Sequence, residues 1–456
     1  MHRHNGSFGR SLHYAPLTLT TLAALVPDEL GAELAIYDES AGPVPLDLEA
    51  DLVCMTVITG TSQRVYRYAD YFRSRGLTVV IGGVHASLLP DEVQRHADSV
   101  VIGFAEQTFP ALLRDFRDGR LAPRYWQGAD YTIAGRPLPR RELLDRRRYI
   151  TLNSIEAVRG CTLRCTFCAY PAAFGRKLHP RPVEEVVAEI VAMRAKYVVF
   201  PDVNLIAQKS YARRLFAAIA PLKIWWGGLV TSAIGLDDDL LKLFQRSGCK
   251  ALLIGYESVA QESQAYMSKG VNRVVDYEGL VRRLHDHGIL LQACFAFGAD
   301  NEDRSIFERT VEVVQRTKID LPRYSILTPF PQTAYYRQLE AQSRIIERDW
   351  AMYDVEHVVY RPALMTPDEL LEGTAWAWRE TYKATRIAQR LLPSPFRTAI
   401  GTPLNLGYKG YAEKFLRFTR EVMCDNSDIP QPGAPPPPLA ALPAPAALPR
   451  AADAVQ

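Results

Sequence analysis

The sequence predicts an α/β chain in which a doubly wound, Rossmann-like parallel sheet precedes a partial (β/α)6 barrel of the TIM type. Two observations lead to this prediction. Short apolar runs rich in β-branched residues alternate with helical stretches in two successive series, and a proline-bearing linker separates the series. Continuously apolar strands alternating with helices are typical of parallel sheets covered on both faces. A chain of 456 residues also has room for two or three domains.

The first series forms a predicted domain over residues 1–118. It lacks the strand with which a doubly wound domain usually opens, because the chain passes from polar residues directly to a predicted helix over 15–27. The sheet is therefore expected either to be one strand short or to have its true start upstream. Its predicted strands are AELAIYD (32–38), DLVCMTVI (51–58), LTVVIGG (77–83) and SVVIGF (99–104).

A linker over 119–150 leads to the second series, a predicted barrel over 151–340. Reactive groups of such barrels lie at the carboxyl ends of the strands. A helical region over 341–425 and a disordered tail over 426–456, rich in proline and alanine, complete the chain. The predicted barrel strands are SIEAVRG (154–160), YVVFPD (197–202), IWWGGLV (224–230), ALLIGYE (251–257), LLQACFAFG (290–298) and RYSILTP (323–329).

The composition is that of an ordinary globular protein, since 48% of the residues are hydrophobic and 23% are charged. A net charge of +3 is too small to indicate a nucleic-acid or anionic-membrane partner. One locally basic stretch, RPLPRRELLDRRR (136–148), is either a solvated linker or a phosphate-binding patch. No apolar run approaches the roughly 18 residues that cross a bilayer, and the N-terminus lacks a signal-peptide core, so we expect a cytoplasmic protein.

Three of the seven cysteines lie within eight positions. Cys161, Cys165 and Cys168 have the spacing C-x3-C-x2-C and follow directly after a predicted barrel strand. The other four are isolated, and an odd total in a reducing compartment argues against a disulfide framework. Those that precede residue 424 are interpreted as small buried hydrophobic residues, namely Cys54, Cys249 and Cys294.

Three thiolates on one loop are one ligand short of the usual metal sites. Structural zinc takes four protein ligands, so a zinc site here would have to recruit His179 or a distant cysteine. Iron–sulfur clusters ordinarily take four cysteines as well, and a cluster held by three leaves one iron open to an external ligand. An open coordination position is the arrangement of a catalytic site rather than a structural one.

The cysteine motif resembles that of the radical S-adenosylmethionine (SAM) enzymes. Arg-Gly precedes it, Phe167 lies before the last cysteine, and Tyr-Pro follows soon after. The resemblance implies that Cys161, Cys165 and Cys168 hold a 4Fe–4S cluster whose open iron binds SAM. Reductive cleavage of SAM then gives a 5′-deoxyadenosyl radical that abstracts hydrogen from a substrate. Further strand ends fall where the family's motifs recur: FPDVN (200–204), IGYES (254–258), FAFGADNED (295–303) and ILTPFPQT (326–333).

Polar and small residues at these strand ends are candidates for binding SAM or substrate. Asp202 and Asn204 are suited to the SAM amino group or to substrate. Glu257 could bind ribose hydroxyls or the SAM amino group, whereas the alternative is that Gly255 and Glu257 only shape and cap a turn. Gln332 departs from the family pattern, in which glycine commonly follows PFP. The candidates in the barrel are Phe167, Asp202, Asn204, Thr231, Ser232, Gly255 and Glu257.

The first domain resembles the cobalamin-binding domain that precedes many radical SAM barrels. The resemblance rests on TVITGTS (56–62), VVIGGVHASLLPDEV (79–93) and VIGFAEQTF (101–109), although the D-x-H-x-x-G motif is absent and Phe104 stands where the family often carries an acidic residue. Glycines would let the backbone approach a flat macrocycle, and hydroxyls would bond its amides. The alternative is a degenerate domain kept as a lid or platform. The candidates are Thr59, Thr61, Ser62, Gly82, Gly83, His85, Gly103 and Glu106.

With cobalamin, the resemblance implies methylation of an unactivated carbon, with S-adenosylhomocysteine and 5′-deoxyadenosine as products and a flavodoxin- or ferredoxin-type reductant. Without cobalamin, it implies a radical rearrangement, cyclisation or dehydration. Hopanoid methylases and tetrapyrrole-modifying enzymes share this layout, and the substrate is expected to be a small molecule. A non-enzymatic iron–sulfur or zinc protein is the remaining alternative. The segment AWAWRE (375–380) is interpreted as helix core rather than as a membrane or partner anchor.

Overall fold

A computed structural model describes residues 15–128, 130–392, 394–419 and 426–435. The predicted fold class is confirmed, because two separate parallel sheets are each covered by helices and a helical region follows them. A two-stranded ribbon is the third sheet in the described part of the chain. Within that part, no helix combines the length and the apolar character needed to cross a membrane.

The N-terminal sheet contains four parallel strands in the order β1-β2-β3-β4. Its apolar core lies between the sheet and helix α2, where Tyr71, Phe72 and Ile81 are almost fully buried. The strands are β1 (Leu52–Thr56), β2 (Thr78–Gly82), β3 (Ser99–Ile102) and β4 (Arg124–Trp126), and the helices are α1 (Leu17–Ala24), α2 (Ser62–Ser74), α3 (Val84–Leu88), α4 (Pro90–Val93) and α5 (Thr108–Arg117).

Two features of this domain differ from the sequence-based expectation. Residues 32–38 form no strand and pair with no described strand of the sheet. As a result β1 is an edge strand and Cys54 is exposed, not buried as expected. Residues 124–126, expected in the linker, instead extend the sheet by pairing with β3.

The barrel sheet contains five parallel strands in the order β7-β8-β9-β10-β11. The strand expected over 154–160 is reduced to a bridge between Ser154 and Val199, followed by the short ribbon of β5 and β6. The strands are β5 (Val158–Arg159), β6 (His179–Pro180), β7 (Tyr197–Phe200), β8 (Trp225–Val230), β9 (Cys249–Glu257), β10 (Leu290–Phe297) and β11 (Leu321–Ile326). The helices are α6 (Ala169–Phe174), α7 (Val183–Ala192), α8 (Lys209–Ile219), α9 (Asp238–Arg246), α10 (Gln261–Tyr266), α11 (Tyr277–Asp286), α12 (Ser305–Thr317) and α13 (Ala334–Ala341).

Side chains on these strands alternate between the helix layer and the inner face of the barrel, as the pleat requires. Phe297 on β10 packs against Phe307 of α12, with ring centroids 4.9 Å apart, and so faces the helices. Cys294 has the opposite orientation and is only partly buried, so it faces inward instead of packing as an ordinary core residue. Cys249 is buried as expected.

Three helices complete the described fold: α14 (Pro367–Thr381), α15 (Ala384–Leu391) and α16 (Pro395–Phe418). Trp378 of the predicted segment 375–380 is 1% exposed and packs against Tyr324 of β11, which confirms the core interpretation for this tryptophan. Its neighbour Trp376 is 37% exposed.

Two arginines of the basic stretch 136–148 are held against the barrel, whereas residues 146–148 are exposed. Arg136 pairs with Glu156 at 2.6 Å, and Arg141 pairs with the buried Glu189 at 2.6 Å. The linker is thus attached to the barrel through these ion pairs.

The beginning of the expected tail is ordered. Asp428 pairs with Arg64 of α2 at 2.9 Å, the Ile429 carbonyl accepts hydrogen bonds from Arg67, and the Ile429 side chain is 1% exposed. Residues 426–435 therefore connect the C-terminal part of the chain to the first domain, because an apolar side chain and an ion pair both hold them there. The remainder of the expected tail, 436–456, and Cys424 lie outside the described residues.

Candidate active site

The three cysteines lie on the loop between β5 and α6, at the carboxyl-end edge of the barrel. All three thiols are free and partly buried. The loop is fixed at Thr166, whose backbone N–H donates to the Met267 carbonyl at 3.1 Å and whose carbonyl accepts from the Tyr335 N–H at 3.0 Å. Cys168 is the residue that precedes the first turn of α6. The thiols are therefore presented by a short loop with fixed ends.

A buried ion pair lies beside this loop. The Lys269 ammonium donates to Glu257, and both side chains are 11% exposed. Burial raises the pKa of the Cys165 thiol to about 11, and Lys269 opposes this rise. Burial disfavours the Lys269 cation, but Glu257 and the thiols of Cys165 and Cys168 outweigh it and raise the pKa of Lys269. The loop thiols and the ion pair thus form one electrostatic cluster.

Glu257 adopts a left-handed backbone conformation, with φ of 58°, at the end of β9. Such a conformation is unfavourable for a residue with a side chain. It folds the carboxylate back over Gly255, where a Cβ would collide with the Glu257 carboxylate and the Lys269 ammonium. Gly255 and Glu257 therefore do shape the strand end, and they also place a carboxylate next to the cysteine loop.

Asp202 follows β7 and is 3% exposed. Its Oδ1 accepts hydrogen bonds from the Ala157 N–H, at 2.9 Å, and from the Val158 N–H. Burial and the nearby Glu156 carboxylate raise the pKa of Asp202 to about 7 in spite of these donors. Its Oδ2 is buried and has no hydrogen-bond partner among the described residues. Asp202 is therefore a carboxyl group with one oxygen left to bind a donor.

The other barrel candidates make mainly local contacts. The Asn204 side chain accepts from the Ile206 N–H at 3.3 Å, and Ser232 donates to Val271 and Asn272. Thr231 precedes the short turn after β8, and Phe167 packs against the barrel core. These four residues shape the strand ends, whereas Asp202, Gly255 and Glu257 adjoin the cysteine loop.

The carboxyl-end edge of the N-terminal sheet faces the same loop. Phe104, which follows β3, stacks on Phe174 of α6 with ring centroids 4.3 Å apart, and the Arg159 guanidinium lies 4.4 Å from the centre of the Phe104 ring. Arg159 also pairs with Glu106 at 2.6 Å. The phenylalanine found in place of an acidic residue therefore joins the two domains by aromatic contact.

Most candidates in the N-terminal domain are occupied by partners of their own domain. A Cβ on Gly83 would lie 2.7 Å from the Val57 carbonyl oxygen, so this glycine is required by the approach of two strands. His85 is fully buried, with Nδ1 3.3 Å from Thr59 Oγ1 and Nε2 3.0 Å from the Tyr66 hydroxyl. Thr61 donates to the Ile58 carbonyl at 3.1 Å.

The other four candidates are less uniform. Gly82 ends β2, and the Gly103 N–H donates to Ser87 Oγ at 2.9 Å. Ser62 is fully buried at the start of α2, and its hydroxyl has no hydrogen-bond partner among the described residues. Glu106 alone among the eight faces the cysteine loop, through its ion pair with Arg159. The structure thus brings Glu106 to the loop and leaves His85 inside the domain.

Unused polar atoms at the edge between the domains fit a bound polar cofactor. Glu106 Oε2 and the Tyr131 hydroxyl are buried without hydrogen-bond partners among the described residues, as is Asp202 Oδ2. Buried polar groups normally have partners, so such atoms mark places where a ligand or water completes the site. The three free thiols add the soft ligands that iron–sulfur clusters use.

His179, the histidine that a zinc site would have to recruit, has partners of its own. His179, the nearest histidine, uses Nδ1 to contact the Tyr131 carbonyl oxygen at 3.0 Å and stacks on the Tyr131 ring at 3.9 Å. In the part of the chain that the structure describes, no three His, Cys, Asp or Glu side chains are grouped to hold a metal ion, and this applies to the three cysteines as well. A tetrahedral zinc ion requires ligands that converge at about 2.0–2.3 Å.

Sequence reasoning missed three residues of this region. Lys269 is an isolated lysine after α10 with no positional signal, and Tyr131 lies in the expected linker. Arg159 was visible as the arginine of the Arg-Gly pair before Cys161, but only the contact between the domains shows what it binds.

Comparison with known families assigns both parts of the chain. Residues 155–313 match the radical SAM superfamily and residues 16–113 match the B12 binding domain. The two matched segments correspond to the barrel and to the four-stranded sheet.

Relatives cover most of the chain. The bacteriochlorophyllide d C-12(1)-methyltransferase of Chlorobaculum tepidum is 29% identical over 83% of this chain and 85% of its own length. The C-8(2)-methyltransferase of the same organism is 26% identical over 88% and 92%. The structure of TsrM from Kitasatospora setae, a radical SAM methyltransferase with cobalamin and a [4Fe–4S] cluster bound, has a TM-score of 0.61 and 16% identity over 90% of this chain and 97% of its own. At 16% sequence identity, the similarity to TsrM shows a shared fold.

Proposed function

Because the chain joins a B12-binding domain to a radical SAM domain, we propose that this enzyme methylates an unactivated carbon of a small-molecule substrate. One observation carries the proposal. The carboxyl-end edges of the two sheets face each other across the cysteine loop, with Phe104 stacked on Phe174. Two cofactors bound at these edges would be neighbours, as a methyl transfer that uses both requires.

When bound, a 4Fe–4S cluster, SAM and cobalamin supply one-electron cleavage of SAM and a transferable methyl group. In this proposal Cys161, Cys165 and Cys168, whose thiols are partly buried, hold the cluster. Asp202 contributes Oδ2 as acceptor for an amino group, because its other oxygen is already bound to two backbone N–H groups.

The Glu257–Lys269 pair has a positioning role beside the loop. Its ammonium offsets the negative charge that three thiolates accumulate in a buried place. The strained backbone at Glu257 supports this role, since such strain persists where the surrounding structure enforces it.

On the N-terminal side, Glu106 and Tyr131 are the residues proposed to contact cobalamin. Glu106 Oε2 and the Tyr131 hydroxyl are buried without a partner among the described residues, so Oε2 would accept a hydrogen bond from a side-chain amide of cobalamin and the hydroxyl would donate one. The remaining sequence candidates in this domain keep the strand ends in place around them, because Gly83 and His85 contact protein atoms.

The relatives indicate which substrates to assay first. Two of them are named as methyltransferases of bacteriochlorophyllide d. A cyclic tetrapyrrole is therefore the first class we propose to test. The chemistry also needs a one-electron donor of the flavodoxin or ferredoxin type and a compartment that keeps thiols reduced, for which we propose the cytoplasm.

The test is anaerobic reconstitution with iron and sulfide followed by titration with cobalamin and incubation with SAM and a reductant. We expect stoichiometric cobalamin binding and the formation of both S-adenosylhomocysteine and 5′-deoxyadenosine in the presence of substrate. SAM cleavage without cobalamin binding would instead favour a rearrangement, cyclisation or dehydration. A protein that binds no cluster and cleaves no SAM would overturn the proposal.

A further inference from the structure

Arg323 lies on the inner face of the barrel, at the same level along the strands as Gly255 of the candidate active site. Its neighbour Tyr324 points outward, since the Tyr324 hydroxyl is 2.7 Å from Thr381 Oγ1 of α14. Arg323 therefore points inward. In register it pairs with Cys294 of β10, which pairs with Gly255 of β9. At about 4.8 Å per strand, Arg323 is about 10 Å from Gly255, over which the Glu257–Lys269 pair lies.

The Arg323 guanidinium has no ion pair or hydrogen bond with any described residue. The side chain is accessible to solvent, although it lies on the inner face of the barrel. Burial disfavours the cation, but Tyr408, Cys294, Tyr411 and Glu356 act on it electrostatically and raise the pKa of Arg323. The nearby Glu356 carboxylate is already bound by the Tyr411 hydroxyl. An inward-facing guanidinium with five free donors is a binding group for an anion.

The surroundings of Arg323 select among anions. The next inward-facing row, towards the amino ends of the strands, contains Leu253, Gln292 and Leu321, and Gln292 donates to the Tyr408 hydroxyl at 3.0 Å. This row offers apolar surface and one amide that is already bonded. A phosphate dianion would need further cations or a helix N-terminus, and Glu356 would repel a dianion more strongly than a carboxylate, which carries a single charge. A carboxylate needs only one guanidinium, which it binds with two parallel hydrogen bonds.

We propose that Arg323 binds a carboxylate of the substrate and so holds an otherwise apolar molecule inside the barrel beneath the cysteine loop. The inference rests on the proposed function, because it names the class of substrate that this site takes. Arg323 is then a specificity-determining residue: the ion pair fixes one end of the substrate, and the reacting carbon lies towards Glu257 and the loop. Neutral analogues of the substrate bind less tightly.

Cys294, the cross-strand neighbour of Arg323, reports on this site without knowledge of the substrate. The cluster-loaded full-length protein is treated anaerobically at about pH 9 with iodoacetate or iodoacetamide, which differ by a carboxylate, and the peptide with Cys294 is quantified by mass spectrometry. We expect the ratio of iodoacetate to iodoacetamide rates at Cys294 to fall about tenfold in Arg323→Met. Changes in the Cys294 pKa affect both reagents alike and cancel in the ratio.

Arg323→Lys keeps the charge and should keep most of the ratio, whereas Arg316→Met, on the exposed surface of α12, should leave it unchanged. An equal ratio in wild type and Arg323→Met would overturn the proposal. Failure of both reagents to reach Cys294 would overturn it as well, because a carboxylate could not then reach Arg323. Iron content and 5′-deoxyadenosine formation in the same samples test the proposed function separately, so that its failure is distinguishable.

Discussion

The carboxyl-end edges of the two sheets face one another, but they use their polar residues in different ways. At the barrel edge, Asp202 leaves a buried oxygen without a partner and Glu257 holds a strained conformation against Lys269. At the edge of the N-terminal sheet, His85 and Glu92 are bonded to Tyr66, and Glu92 also accepts from Trp350 of the C-terminal region. At the barrel edge the buried oxygen without a partner among the described residues belongs to Asp202, whereas at the other edge most candidates are hydrogen-bonded and Glu106 Oε2 and Ser62 Oγ are exceptions.

Two carboxyl groups illustrate the contrast. Burial alone would raise the pKa of Glu92, but hydrogen bonds from His85, Trp350 and Tyr66 lower it to about 2. The stability that Glu92 contributes is present above its usual pKa and is lost as the pH falls towards 2. Asp202, with a pKa of about 7, holds its proton more tightly in the folded chain, so its contribution is lost as the pH rises from about 4 to about 7. Burial next to a like charge, which raises the pKa of Asp202, is one of the arrangements that occur at functional sites.

The largest effect is expected at the cysteine loop. Replacement of Cys161 by alanine should abolish SAM cleavage, because two thiolates cannot hold a cluster that leaves a defined iron open. Formation of 5′-deoxyadenosine by the reconstituted protein measures this. Cys54→Ala is the matched control: Cys54 is exposed on β1, and its loss should leave cleavage unchanged. If both variants formed 5′-deoxyadenosine equally well, Cys161 would not be a cluster ligand.

The second effect concerns the buried ion pair. Glu257→Gln should lower the free energy of unfolding by about 3 kcal/mol, because it leaves the Lys269 ammonium buried without its counter-ion. Urea unfolding of the protein measures the change. The double variant Glu257→Gln with Lys269→Met should recover much of the loss.

A surface pair provides the comparison for this experiment. Arg348 and Glu340 are 65% and 41% exposed, so Glu340→Gln should cost less than about 1 kcal/mol. If the Glu257 and Glu340 variants lost the same stability, the ion pair beside the loop would be an ordinary surface contact.

The two edges also differ in how far the sequence predicts them. The cysteine spacing and the carboxylates after β7 and β9 could be located from the sequence, because strand ends of a parallel barrel meet at one edge. Lys269 could not, since its position after α10 depends on how a loop returns to the cysteines. Glu257 was visible as a residue, but its left-handed backbone was not.

In the N-terminal domain the strands at 52–56, 78–82 and 99–102 follow from apolar runs. Residues 32–38 carry the same local signal and form no strand, because strand formation requires a neighbouring strand to pair with. The glycine and hydroxyl motifs identified the strand ends correctly. They did not reveal that Gly83 lies too close to the Val57 carbonyl for a side chain, or that His85 contacts Thr59. Both facts depend on how the strands and helices pack.

A third experiment separates cofactor contact from domain stability at the N-terminal edge. Glu106→Gln should weaken cobalamin binding about tenfold and leave SAM cleavage unchanged, since it alters a charged group that faces the loop. His85→Gln should lower the stability by about 1–3 kcal/mol and leave the Kd for cobalamin almost unchanged in the folded protein. Spectroscopic titration and thermal unfolding measure both. The reverse pattern would place the cofactor against His85 and contradict the assignment of Glu106.

The smallest effect is a pH dependence at the barrel edge. Because burial and Glu156 raise the pKa of Asp202 to about 7, the fraction of ionised Asp202 increases about tenfold between about pH 6 and pH 8. If Asp202 Oδ2 accepts from the SAM amino group, the affinity for SAM should rise by a similar factor over this range. Equilibrium binding of SAM to the cluster-loaded protein measures it. Asp202→Asn should bind SAM weakly at every pH in the range, and a variant with the wild-type pH profile would show that the titrating group lies elsewhere.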